Sequence, residues 1–155
     1  MKKTKVLVLV LVMATVAATA GFSWGIGAAA GISPLGGLPG SNVMLSVAPP
    51  EIPIVFGVGL AIGENTFQVG ITADWWLVNQ NLFSFVNLYV GPGLYVGISN
   101  GVDLGARVPV GINIWPLDFL EIFLEIAPTL GIQFADPIVF PRFALQGSFG
   151  LRFWF

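Results

Sequence analysis

The chain has no cysteine and no histidine in 155 residues, and only 9% of its residues are charged. Without cysteine there is no disulfide framework, no thiol nucleophile and no lipid-modified cysteine anchor. Without histidine the commonest general base and the commonest metal ligand are gone, and with them any Ser–His hydrolase. Basic residues are scarcer still. Lys2, Lys3 and Lys5 all lie in the first five residues. Beyond residue 20 only Arg107, Arg142 and Arg152 stand against eight acids, a formal charge of 3 − 8 = −5. That leaves no basic patch to neutralise phosphates, so nucleic acid is not an expected partner. No cofactor, metal site or enzymatic activity is expected either.

Residues 1–20 combine a basic start, an apolar run from Val6 to Met13, and Ala18-Thr19-Ala20 before Gly21. This is the pattern of a secretory signal peptide cleaved after Ala20, with Ala18 and Ala20 as the small cleavage-site residues. The uncharged run is shorter than the roughly 20 apolar residues of a spanning helix. The expected domains are therefore a leader over 1–20 and one domain over 21–155. Long apolar runs are missing from that domain, because Gly, Pro or polar residues interrupt every stretch. Yet the chain is 55% hydrophobic and holds 20 glycines and 13 phenylalanines. A very apolar chain without helical spans can cross a membrane as a closed β-barrel, in which all backbone groups pair with one another.

Alternation supports the barrel. In Phe143–Phe155, Phe143, Leu145, Phe149, Leu151, Phe153 and Phe155 fall on one face, with Gly147 the exception. Ala144, Gln146, Ser148, Gly150, Arg152 and Trp154 fall on the other. Such a period of two marks a strand with unlike faces. The same opposition of large apolar to small or polar residues runs through Phe22–Ile32, Asn42–Ala48, Pro53–Ile62, Phe67–Trp76, Val86–Ser99, Leu104–Ile114 and Phe119–Ile132. Turns are expected at Pro49–Glu51, Gly63–Thr66, Asn79–Asn81, Asn100-Gly101 and Trp115–Asp118. The longest loops are expected at Ser33–Ser41 and Gln133–Arg142. About eight strands result, each near the length that crosses a bilayer. The expected fold is all-β: a closed antiparallel transmembrane barrel, with the large apolar set facing lipid and glycines making room inside. Aromatic residues near strand ends suit interfacial girdles. Pro92, Pro109 and Pro128 fall inside strands and are expected at bulges or bends. The competing soluble β-fold would turn the large apolar set inward and leave a surface almost without charge, which is poor for solubility.

The charges on the inner set are Asp74, Arg107, Glu121, Glu125 and Arg152. Glu121 and Glu125 are four residues apart on one strand, roughly 13 Å, too far for a paired-carboxylate site within it. Their signs suit a lumenal network of structural ion pairs. With a turn centred between Pro116 and Leu117, Arg107 is expected opposite position 126, within reach of Glu125, and Arg152 is expected to approach Glu125 as well. Gly25-Ile26-Gly27 and Gly57-Val58-Gly59 lie inside strands with no following helix, so they are not phosphate loops.

Phe153 and the terminal Phe155 resemble the C-terminal signal by which outer-membrane barrels reach their assembly machinery. The runs Gly91–Tyr95, Gly105–Gly111 and Leu120–Pro128, with the last strand, are similar to uncharacterised spirochaetal outer-membrane barrels, and through them to OmpA-like, OmpX-like and OmpW-like eight-stranded barrels. The resemblance covers about Tyr89–Phe155. It implies an integral outer-membrane location, contact with outer-membrane lipid, and a structural or interaction role. A narrow channel, or a carrier of small or apolar molecules, is the alternative.

Overall fold

A computed structural model describes residues 24–62 and 67–155; the expected leader and the Gly63–Thr66 turn lie outside them. Eleven β-segments follow in order: β1 Gly25–Leu35, β2 Val43–Ala48, β3 Ile54–Ile62, β4 Phe67–Trp75, β5 Val78–Phe83, β6 Val86–Val90, β7 Gly93–Ile98, β8 Val102–Arg107, β9 Val110–Leu117, β10 Leu120–Phe134 and β11 Val139–Trp154. They form eight staves. The pairs β4 and β5, β6 and β7, and β8 and β9 are each one stave broken by a short irregularity. β4 pairs with β7 and β5 with β6, while β10 pairs with both β8 and β9. Every stave is antiparallel to its sequence neighbours, and β1 pairs with β11 to close the ring. The chain is a closed eight-stranded antiparallel barrel, as its alternation predicts.

Closure has a definite stagger. Paired residues lead from Phe153 through Ile26, Val47, Phe56, Ala73, Leu94, Ala106 and Leu130, and return to β11 at Phe143, ten residues from the start. Such a shear requires tilted strands and fixes a narrow bore. All nine side chains on this path are apolar. Phe153, Phe56, Leu94, Leu130 and Phe143 among them are exposed on the outer wall. The inner wall carries the polar set: Ser46, Thr72, Asp74, Asp103, Arg107, Asn113, Glu121, Glu125, Thr129, Gln146, Ser148 and Arg152 are all buried.

The prolines align into a seam. Pro92 lies between β6 and β7, Pro109 lies between β8 and β9, and Pro128 pairs opposite Leu145 within β10. Proline cannot donate to a ladder, but its carbonyl can still accept. Trp75 N–H donates to Pro92 O at 2.9 Å, Gly91 N–H to Pro109 O at 3.3 Å, and Val108 N–H to Pro128 O at 3.0 Å. Two neighbouring staves thus break at one level, beside Pro128 in the continuous β10, and each proline carbonyl keeps its donor.

The loop expected over Ser33–Ser41 begins only after Leu35, where β1 ends, and three further expected turns or loops move. Asn79–Asn81 lie within β5, and the chain reverses at Ser84, whose φ is +48°. Asn81 instead donates to Ser84 O and Asn87 Oδ1, each at 3.0 Å, and so holds the hairpin. Trp115–Leu117 remain in β9, and the turn falls after Leu117. β10 runs to Phe134 and β11 starts at Val139, so the loop expected over Gln133–Arg142 shrinks to four residues. In the two longer cases strand pairing overrides the local polar or proline signal.

The loop after β1 folds inward. Gly36, Gly37 and Gly40 take positive φ, a conformation that glycine adopts without strain. Leu38 and Ser41 are buried, and the Gly40 backbone packs directly on Gly59 and Gly70. The inner glycines of β3 and β4 therefore make room for a loop as well as for side chains.

On the inner wall, a Cβ added at Gly111 would collide with the Tyr89 ring, whereas one at the outward-facing Gly147 would meet only Ile32 Cγ1 at 3.6 Å. Gly111→Val is therefore expected to destabilise the barrel by about 1–3 kcal/mol through overpacking. Gly147→Val should leave the urea midpoint of the refolded protein nearly unchanged. Equal midpoints for the two variants would contradict this assignment of faces.

Candidate functional site: the charged lumen

All five inner charges expected from the sequence converge in the lumen. Arg107 is the hub. Its Nη2 donates to Glu125 Oε1 at 2.6 Å, and its Nη1 donates to Gln146 Oε1 at 2.7 Å. Its Nε stands 3.1 Å from Asp74 Oδ1, an ion pair without hydrogen-bond alignment. Glu125 also accepts from the Tyr89 hydroxyl at 3.0 Å. The second centre is Arg152, whose Nη1 donates to Glu121 Oε2 at 2.6 Å and whose Nε donates to Ser46 Oγ at 2.9 Å. Glu121 further accepts from Asn113 Nδ2 at 2.7 Å and from Trp154 Nε1 at 2.9 Å. The Arg152 guanidinium lies over two rings, 4.3 Å from the Phe123 centroid and 4.9 Å from that of Trp76. Trp76 in turn stacks on Tyr89 at 4.2 Å.

Glycines carry these contacts over intervening strands. Along one row Asp74 pairs with Gly93, and Gly93 with Arg107. Along another Tyr89 pairs with Gly111, and Gly111 with Glu125. On a third Arg152 pairs with Gly27, and Gly27 with Ser46. In each row the outer two side chains meet across the middle residue. A Cβ on Gly93 would strike both Asp74 and Arg107, and one on Gly27 would lie 2.6 Å from Arg152 Cγ.

The expected register needs two corrections. Arg107 sits opposite Thr129, not position 126, because the β9–β10 turn lies later than Pro116-Leu117. Its contact with Glu125 is therefore made through the lumen and not directly across the ladder. Arg152 sits opposite Glu121 and pairs with it rather than with Glu125. The network also includes Tyr89, Asn113, Gln146, Ser46 and Trp76, none of which stood out from the sequence. All of these except Trp76 lie on regular strands in inward alternation, and that parity was the available signal.

A separate pair closes the opposite mouth. Arg142 Nη1 lies 2.9 Å from Asp103 Oδ1, and Arg142 Nη2 donates to the carbonyls of Gly36 and Gly37 at 2.6 and 3.1 Å. Tyr95 donates to Pro39 O at 3.0 Å. Arg142, expected in a loop, thus ties the inserted loop to the wall. A void of about 30 Å³, room for about one water molecule, lies beside Arg107 and Arg152. The arrangement pairs each lumenal arginine with carboxylates and occupies the bore with bulky side chains. Among the described residues no cluster of His, Cys, Asp or Glu is built to hold a metal ion.

At the closing seam, Trp24 N–H donates to Phe155 O at 2.8 Å and Phe155 N–H donates to Trp24 O at 3.1 Å. Phe153 points outward, and Phe155 is half-buried at the strand end.

No family model matches the chain, and no curated protein matches it. The crystal structure of Neisserial surface protein A is similar, with a TM-score of 0.52 and 13% identity over 88% of this chain and 98% of that one. At this identity the likeness shows the fold alone, over nearly the full length of both chains.

Removing Arg107 would leave Asp74 and Glu125 as buried carboxylates without their cation. Arg107→Ala is expected to cost about 3–5 kcal/mol, as for other broken buried pairs, and less if water enters the lumen. A denaturant midpoint equal to wild type would show that the pair does not stabilise the barrel.

Proposed function

We propose that the chain is a small integral outer-membrane barrel with a sealed lumen, whose role is structural or interactive and not catalytic. The observation that best supports this is the orientation of its faces. Phe56, Leu94, Leu124, Leu130, Phe143 and Phe149 project outward and exposed, while the charged lumenal residues are buried inside. Water would favour the opposite arrangement, whereas hydrocarbon favours this one. Outer-membrane lipid is then the partner of the belt. The leader over residues 1–20 would direct export and be removed after Ala20. We read the closer kinship as OmpA-like, OmpX-like or OmpW-like, on the runs around Arg107 and Glu125.

The alternative, a narrow channel or carrier, needs a path through the bore, and the packing around Arg107 and Arg152 supports the sealed reading instead. Purified protein reconstituted in a planar bilayer is expected to show no steady ionic conductance. The double variant Arg107→Ala/Glu125→Ala should leak. A steady wild-type channel would overturn the sealed reading.

We also propose that the C-terminal strand hands the chain to the barrel-assembly machinery, with Phe153 and Phe155 as the recognised residues. Phe155→Asp is expected to lower the protease-resistant, membrane-inserted fraction several-fold while leaving synthesis unchanged. Normal insertion of that variant would refute the assignment.

A further inference from the structure

The mouth of the barrel at which β1 begins and β11 ends holds a recess that shares Trp76 and Trp154 with the ion-paired lumen. It has a volume of about 510 Å³, within the range of small-molecule sites. Trp76, Trp115 and Trp154 line it, together with Pro53, Asn79 and Glu51. Trp115 and Trp154 form a tilted pair with centroids 5.5 Å apart. Trp154 is held by its bond to Glu121, and Trp76 by its stack on Tyr89. The rings are thus fixed in place before any ligand arrives. The indole N–H of Trp76 is buried without a partner among the described residues.

The unpaired charge around this recess has one sign, because Arg152, which lies over Trp76, is paired with Glu121. Each described arginine is already paired with a carboxylate. Glu51 on the rim and Asp118 in the β9–β10 turn at the same end are exposed and have no cation among the described residues. Aromatic faces attract cations through their quadrupole, and a neighbouring carboxylate adds to that attraction. Apolar walls meanwhile favour a bulky, weakly hydrated cation over a bare ammonium.

We infer that this recess is a binding site for a small organic cation of the quaternary ammonium class, held by Trp115, Trp154 and the Glu51 carboxylate. The inference does not rest on the sealed lumen.

The test uses the refolded barrel in a non-ionic detergent, because zwitterionic detergents carry the same headgroup. Choline is titrated against its neutral carbon isostere, 3,3-dimethyl-1-butanol, with calorimetry and tryptophan fluorescence as readouts. Choline is expected to bind saturably, and the isostere at least about five-fold more weakly, the contribution of one cation–π contact. Glu51→Gln, which removes a charge from an exposed turn, and Trp115→Leu should each weaken choline by about the same factor while leaving the melting curve in place. Equal affinity for choline and the isostere would reduce the recess to an apolar pocket and overturn the inference. So would the absence of saturation with choline, or wild-type affinity in Glu51→Gln. If Trp115→Leu does not fold, the isostere comparison and Glu51→Gln still decide the matter.

Discussion

The barrel depends on two buried guanidinium groups, those of Arg107 and Arg152, each matched by carboxylates from other strands. A wall of eight staves encloses a bore that must be filled by side chains. Here it is filled with charge, and buried charge is tolerated only when paired and hydrogen-bonded. The pairing needs reach, because Asp74 and Arg107 stand on staves separated by a third, as do Tyr89 and Glu125, and Arg152 and Ser46. Gly93, Gly111 and Gly27 provide that reach by having no side chain in between. The inner glycines and the ion pairs are therefore one device, and neither half would work alone.

The proline seam is a second constraint of the same kind. Pro92 and Pro109 each interrupt a stave, and Pro128 stands beside them within β10, at neighbouring levels of adjacent strands. Each carbonyl still receives an N–H from the stave next to it. Set side by side, they confine the irregularity to one level and leave the ladders above and below in register.

How much of this was legible in the sequence follows from what kind of signal carried it. The assignment of faces was legible, because alternation depends only on parity. Phe149 and Leu151 were expected outward and Arg152 and Ser148 inward, and the two sides are so. The pairing of Arg152 with Glu121 was not legible, because register depends on where a turn reverses. Trp115-Pro116-Leu117-Asp118 looks like a turn locally, yet β9 continues through Leu117 against Leu120. A small displacement of that turn carries Arg107 from position 126 to Thr129. The inward fold of Leu38–Ser41 was also hidden. Its determinants are the bare backbones of Gly59 and Gly70, distant in sequence and indistinguishable from other inner glycines.

The count of charges in the lumen also explains which neutral residues join them. Asp74, Glu121 and Glu125 outnumber Arg107 and Arg152 by one. On the outer face each basic residue would cost about 2–4 kcal/mol near the bilayer midplane, so the charges belong inside. There the carboxylates also need donors that carry no charge, and Asp74 Oδ1 finds none among the described residues, facing Arg107 without a hydrogen bond. The Tyr89 hydroxyl, the Asn113 amide and the Trp154 indole supply them to Glu125 and Glu121. Each such donor satisfies lone pairs that the two arginines leave open, and each is a bulky group that also occupies the bore. Donors to Glu121 and Glu125, and bulk inside the bore, are in this way supplied by the same side chains.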